Sequence, residues 1–462
     1  MRAIDKDLTK GNLFKQILLF SLPIIGLNIL QNLFNTADTI VLGNFVNEDF
    51  ATTAVGAVGT TTPLINLILG LFVGISLGSN VVVAKCVGQK DVIKSRKAVS
   101  TSIVLCFFAS IILLAIGLTF RRKFLVWMNC ENQLLDLADK YLFIYLLGTP
   151  FILLYNFCAS ILRAVGETFR PFIYLMIGGV LNVIFNIIAI TVFNMDVDGV
   201  AIATVISNGF CSICCLITLI RSNGFAKISG RELKINKLEA KEILHIGIPS
   251  GLQRVFFSIS NVIMQSTINS FGDLVTSGNA VAHSLDLYIS EILAAFSVTV
   301  MSFIGQNLGA KNFKRIKRSI VITVSTSAVI SFILGLSLCA FYKPLCLLVR
   351  NDTLILPYAR LRMQYVAVFF FLGSMQNNLA HCLRAMGKST TSMFISLFCG
   401  CVLRIIWFKL VEVLFPNNLG AVFLCYSVTW TIGALMFTFV LIPTYKKLKK
   451  QSLCETNNNK IV

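Results

Sequence analysis

Long apolar runs separated by short polar stretches set the pattern of the whole chain. About twelve such runs recur, with approximate cores at 14–37, 55–82, 99–119, 137–160, 172–194, 198–220, 245–270, 279–304, 319–341, 356–381, 391–413 and 420–442. Each is near the ~20 residues of helix that cover the roughly 30 Å hydrocarbon core of a bilayer. None shows the ten-residue alternation of a membrane barrel, and an open strand could not satisfy its backbone in lipid. The pattern predicts an all-α integral membrane protein of about twelve transmembrane helices.

The polar stretches carry a second pattern, because they repeat. Leu162–Gly166 reads LRAVG and Leu383–Gly387 reads LRAMG, 221 residues apart. VGQKDVIKSRKAV after the second run answers LGAKNFKRIKRSI after the eighth, with Gly88 and Gly309 at the same spacing. GVAIAT and GAVFLC place Gly199 and Gly420 at that spacing again. Near the head of each half, FSLPIIGLNILQ answers IGIPSGLQRVFF, where Pro23 and Pro249 stand 226 apart. A proline inside a helix removes a backbone hydrogen bond, so both are candidate points of bending. Two halves of six spans each enter the membrane from the same side, which is the parallel kind of internal repeat. The expected organisation is an N-terminal tail at 1–13, a six-helix lobe at 14–220, a basic linker at 221–244, a second six-helix lobe at 245–443 and a C-terminal tail at 444–462. Two packed halves offer a midplane cleft and a rocking motion, both of which transporters use. A duplicated scaffold or receptor is the competing class.

Composition agrees with the membrane assignment. Hydrophobic residues make up 56% of the chain and charged residues 13%, and mean hydropathy is +0.80. A soluble domain carries roughly 25% charged residues to wet its surface. The net charge of +19 does not point to nucleic acid, because the basic residues alternate between loops. They cluster at Lys85–Lys97, Arg163–Arg170, Arg221–Lys241, Lys311–Arg318, Arg384–Lys388 and Lys446–Lys450, while the loops near Asn47, Asp196, Asp273 and Asn417 have none. Arg121, Arg122 and Lys123 are the main exception. Lysine and arginine mark the cytoplasmic side. The chain is thus expected to be multi-pass in the plasma (inner) membrane, with both termini cytoplasmic and no signal peptide. Most of the 14 cysteines lie in apolar spans and read as small hydrophobes. No HExxH or Walker lysine loop is present, so neither an enzyme nor a cofactor is expected.

Candidate chemistry comes from polar groups at lipid depth, each costing about 2.5–3.5 kcal/mol or more if charged at the centre of a span. In the first half Asp38 is the carboxylate well inside a span. Counted from the outer ends of spans one, five and six, Asp38, Asn186 and Thr204 lie at a common depth, with Asn182 one turn deeper on the face of Asn186. One carboxylate with neutral oxygens suits a proton or a single monovalent cation such as Na+ better than a divalent ion. The second half holds Asp286 and Glu291 in span eight, Arg254 in span seven, and Arg404 in span eleven. These are candidates for substrate binding or for structural ion pairs, with Arg254 and Glu291 at depths that allow a pair.

Taken in order, P…LQNLFNTADTIVLG, VVVAKCVGQKD, LRAVGETFRPF…LNVIFN, GVAIAT, MSFIGQNLGAKN and LRAMGKS resemble the multidrug and toxic compound extrusion family from about Leu13 to Tyr445. The resemblance implies a V-shaped pair of six-helix lobes around a central cavity. It also implies export of small drug-like organic compounds, often cationic and amphipathic, in exchange for protons or sodium. Asp38, Asn182, Asn186 and Thr204 match the positions that form the first-lobe cation site in such proteins, with Asn186 where many members have aspartate. Function as a monomer is expected. The runner-up transporter is a flippase for lipid-linked saccharides, which would want an arginine-rich and lysine-rich cavity; Arg254 and Arg404 keep it in view.

Overall fold

The computed structural model describes residues 5–45, 48–128, 130–228, 233–415 and 418–461. Loop positions Asn47 and Asn417, and Arg231 of the linker, lie outside the described residues. Among the described residues there is no strand. The helices are α1 (Leu13–Phe45), α2 (Glu48–Gln89), α3 (Val92–Trp127), α4 (Asn132–Ala164), α5 (Phe169–Thr191), α6 (Val197–Ile220), α7 (Lys237–Asn269), α8 (Asp273–Gly309), α9 (Phe313–Ala340), α10 (Tyr342–Val349), α11 (Leu356–Arg362), α12 (Phe370–Ala385), α13 (Ser389–Leu397), α14 (Leu403–Leu414) and α15 (Leu419–Ile461). A π-turn at Met363–Ala367 links α11 toward α12, and another at Phe398–Val402 joins α13 to α14.

Each expected span falls on a helix or on a pair joined by a π-turn. Ten helical segments among the described residues are long and apolar enough to cross a membrane. The other two expected spans fall short for local reasons. Within the seventh, Gln253, Arg254, Asn261 and Gln265 interrupt the apolar run of α7. The tenth span is broken at Val368 and Phe369, just past its π-turn, which leaves α12 only 16 residues.

The repeated sequences build the same turns. At the end of α4, Glu167 N–H donates to Leu162 O at 2.8 Å and Gly166 N–H to Arg163 O at 3.0 Å. At the end of α12, Lys388 N–H donates to Leu383 O and Gly387 N–H to Arg384 O, both at 2.9 Å. This is the paired closure in which a left-handed residue just past the helix satisfies its last carbonyls. Gly166 and Gly387 have φ of 92° and 78°, which costs glycine nothing sterically. Lys90 and Lys311, also 221 apart, end α2 and α8 at φ of 58° and 55°. The next helices start at once, with the Asp91 side chain accepting from Lys94 N–H and that of Asn312 from Arg315 N–H.

The chain forms two compact units. Unit 1 comprises Met1–Asp7 and Leu22–Gly251; unit 2 comprises Leu8–Ser21 and Leu252–Val462. The division between halves was expected at 244/245 and lies at 251/252. The start of α7 belongs to unit 1 because its backbone lies directly on α2: a Cβ on Gly74 would collide with Gly251, and one on Gly78 with Ile243 O. Conversely, the start of α1 belongs to unit 2. There Phe20 meets Phe303 edge to face at 5.5 Å, and Arg315 donates to Leu8 O, Gly11 O and Lys10 O at 2.7–3.0 Å. Pro23 and Pro249 therefore sit within two residues of the points where α1 and α7 change unit, and both helices run unbroken through them.

Candidate functional site

Unit 1 encloses a cavity of about 110 Å³ lined by α1, α4, α5 and α6. Small residues on α5 let its neighbours approach. A Cβ on Gly178 would strike Cys211 Sγ of α6, and one on Gly179 would strike the Phe34 ring of α1. One turn further along α5, Asn182 faces the space so created.

The four residues grouped by depth form one hydrogen-bonded chain. Asn186 Nδ2 donates to Asp38 Oδ1 at 2.6 Å and to Asn182 Oδ1 at 3.4 Å. Asn182 Nδ2 then donates to Thr204 Oγ1 at 3.3 Å. Asn186 is fully buried and Asn182 is 5% exposed, while Asp38 and Thr204 are half-buried. Asn186 Oδ1 is buried with no hydrogen-bond partner. Such an acceptor is costly unless something supplies positive charge or a proton. The donor set therefore fits a proton or a monovalent cation: one carboxylate, one open amide oxygen and a hydroxyl along one chain of contacts.

Sequence reasoning missed the aromatic wall of this cavity. Tyr141 and Tyr145 on α4 line it, their rings 5.9 Å apart. The signal was available, since the two stand four apart, about one to two turns from the outer end of span four, near the depth of Asp38.

In unit 2 the expected polar residues fall into two groups. Asp286 is buried and accepts from Arg362 Nε at 3.0 Å. Arg362, absent from the sequence candidates because it sits near the start of span ten, also donates to Asn279 Oδ1 at 2.7 Å. Arg404 is buried and donates to Ser260 Oγ at 3.2 Å and Asn261 Oδ1 at 3.4 Å. The guanidinium groups of Arg362 and Arg404 lie 5.5 and 5.0 Å from the centre of the same Tyr426 ring. In the second group, Glu291 is within electrostatic reach of Arg254.

Comparison with known proteins decides the family. The MatE family model matches residues 23–188 and 249–408, once in each half. The chain belongs to the MatE family. As a member of these multidrug and toxic compound extrusion transporters, it is 30% identical over 310 residues to the probable multidrug resistance protein YpnP of Bacillus subtilis, covering 67% of this chain and 68% of that one. It is 24% identical over 321 residues to the multidrug export protein MepA of Staphylococcus haemolyticus, with 70% of each chain covered. Among solved structures, it superposes with a TM-score of 0.87 on an outward-facing multidrug resistance MATE family transporter, at 20% identity over 97% of this chain and 99% of the other. The Vibrio cholerae MATE transporter VcmN in its bent form gives 0.84, at 20% identity over 95% and 97% of the two chains. These last two likenesses establish a shared two-lobed fold.

Proposed function

We propose that this MatE transporter exports drug-like organic compounds from the cell in exchange for protons or Na+, and that Asp38 is the group the coupling ion discharges. The observation that carries the reading is the chain Asp38–Asn186–Asn182–Thr204, in which Asp38, Asn182 and Thr204 line the unit 1 cavity and the buried Asn186 joins them. A carboxylate removed from water is stabilised by a bound cation or a proton. Either would also give the open Asn186 Oδ1 a reason to rearrange, because its amide is already committed to Asp38. Asp38 rides on α1, the helix that begins in unit 2, changes unit beside Pro23 and continues in unit 1. Ion and solute are coupled when each favours a different state of such an element.

The protein acts as a monomer in the plasma membrane with both termini cytoplasmic. The basic loops support that orientation, and two of the basic residues that opposed it are neutralised locally. Arg121 pairs with Asp139 and Arg122 with Asp136, each at 2.9 Å. The test is efflux of a fluorescent cation from proteoliposomes, driven in turn by a pH gradient and by a Na+ gradient. One gradient should drive efflux in the wild type, and Asp38→Asn should insert normally but lose it. Full gradient-driven efflux by Asp38→Asn would sink the reading.

A further inference from the structure

Unit 2 gathers more buried positive charge around one tyrosine than its carboxylates neutralise. Arg362 and Arg404 are 3% and 4% exposed, and both lie against the Tyr426 ring. Asp286 is 2% exposed and, among the described residues, pairs with Arg362. Among the described residues no carboxylate reaches Arg404, whose Nε is buried without a hydrogen-bond partner. A buried guanidinium held only by a hydroxyl, an amide and a ring face is incompletely compensated.

The backbone marks the same place. The π-turn Met363–Ala367 begins directly after Arg362, and the π-turn Phe398–Val402 ends two residues before Arg404. Such turns are uncommon and concentrate at functional sites. Here they flank the two arginines that converge on Tyr426. The cluster also touches the surface of the unit: Asn261, which accepts from Arg404, and His283, 3.3 Å from Arg362 Nη2, are both exposed.

We propose that this cluster is a recognition site for an oxyanion, a carboxylate or phosphate group, received by Arg404 with Tyr426 and Arg362 behind it. Guanidinium is the side chain best matched to such groups, through its planar fork of donors. A solute carrying the oxyanion on an apolar body would displace Asn261 from Arg404 and supply the missing negative charge. Cargo with an anionic or zwitterionic head would thus be accepted in unit 2, apart from the ion at Asp38. Only the role as cargo site rests on the export reading; the binding itself does not.

The experiment uses the full-length protein in nanodiscs of neutral lipid, with octanoate, octyl phosphate and octylammonium as matched probes. Trp430 is a built-in reporter, its ring 5.4 Å from Tyr426. The two anions should change tryptophan fluorescence saturably, at least about tenfold more tightly than octylammonium. Arg404→Gln should remove that preference. Asn261→Asp, at an exposed position, should remove it by placing a carboxylate beside Arg404, and decides the matter if Arg404→Gln does not fold. Asp38→Asn should bind the anions as the wild type does, which separates this site from the export reading. Displacement of octanoate by added phosphatidylglycerol keeps the oxyanion and assigns it to lipid; no displacement assigns it to a free solute. Equal affinity for octylammonium, or wild-type anion binding by Asn261→Asp, overturns the proposal.

Discussion

The two units share their turns and differ in their polar interiors. The turns that end α4 and α12 use the same pair of backbone hydrogen bonds, and those that end α2 and α8 put a lysine at nearly the same positive φ. The interiors do not match. Carried forward by the 226-residue spacing of the prolines, Asp38 falls on Met264; by the 221-residue spacing, Asn182, Asn186 and Thr204 fall on Leu403, Trp407 and Cys425. Met264 and Cys425 belong to one buried apolar cluster in unit 2, and Trp407 packs against it. Charge in unit 2 lies instead at Asp286, Arg362 and Arg404. Duplication preserved what closes the backbone, since each turn needs only a residue that tolerates one conformation. The interior could diverge because each lobe pairs its buried charge with residues of its own, as at Asp38–Asn186 and Asp286–Arg362.

The sharpest way to break this comparison is to exchange the residues. Asp38→Met should abolish gradient-driven efflux, a fall of about tenfold or more, read in proteoliposomes against a matched amount of inserted protein. Met264→Asp should damage stability rather than create a second ion site. An unpaired carboxylate in that apolar cluster costs on the order of 3–5 kcal/mol, so the variant should show a lowered melting temperature or poor accumulation. A stable Met264→Asp protein with altered ion dependence would show that the units are interchangeable after all.

Smaller effects sharpen the shared part. Gly166→Ala and Gly387→Ala each force a side chain into the left-handed region, at about 1–2 kcal/mol. They should not be equal: a Cβ at Gly387 meets nothing within 4 Å, whereas one at Gly166 comes within 2.7 Å of Lys6 Cβ and O. Gly166→Ala should therefore lower the melting temperature further, and equal shifts would contradict the packing. Smallest of all, Lys90→Gly relieves a positive φ on a side chain that lies exposed. The gain should be about 0.5 kcal/mol, because greater freedom in the unfolded chain offsets part of it. A loss of stability would mean that Lys90 has a role beyond its turn.

Much of the candidate site was legible because depth in a membrane helix is a count of residues. Asp38, Asn182, Asn186 and Thr204 were grouped that way, and the structure joins them in one chain of hydrogen bonds. The same count could have found Tyr141 and Tyr145, but tyrosines in a span read as ordinary amphipathic side chains. Arg362 escaped because it lies near the head of its span, where an arginine needs no buried partner. The π-turns beside Arg362 and Arg404 leave no mark in the hydrophobic pattern, which has the same apolar content either way.

By itself the sequence determined the number and position of the spans, the twofold repeat and the turns between helices. These follow from local rules: apolar length against bilayer thickness, and glycine or lysine against a single backbone conformation. Only the tertiary structure decided where α1 and α7 change unit, which cation faces Asp286, and that no carboxylate among the described residues pairs with Arg404. Those outcomes depend on which backbones pack closely, as at Gly74 against Gly251, and on two π-turns that shift a helix face by one residue. Contacts between residues hundreds of positions apart set both, and neither hydropathy nor spacing records them.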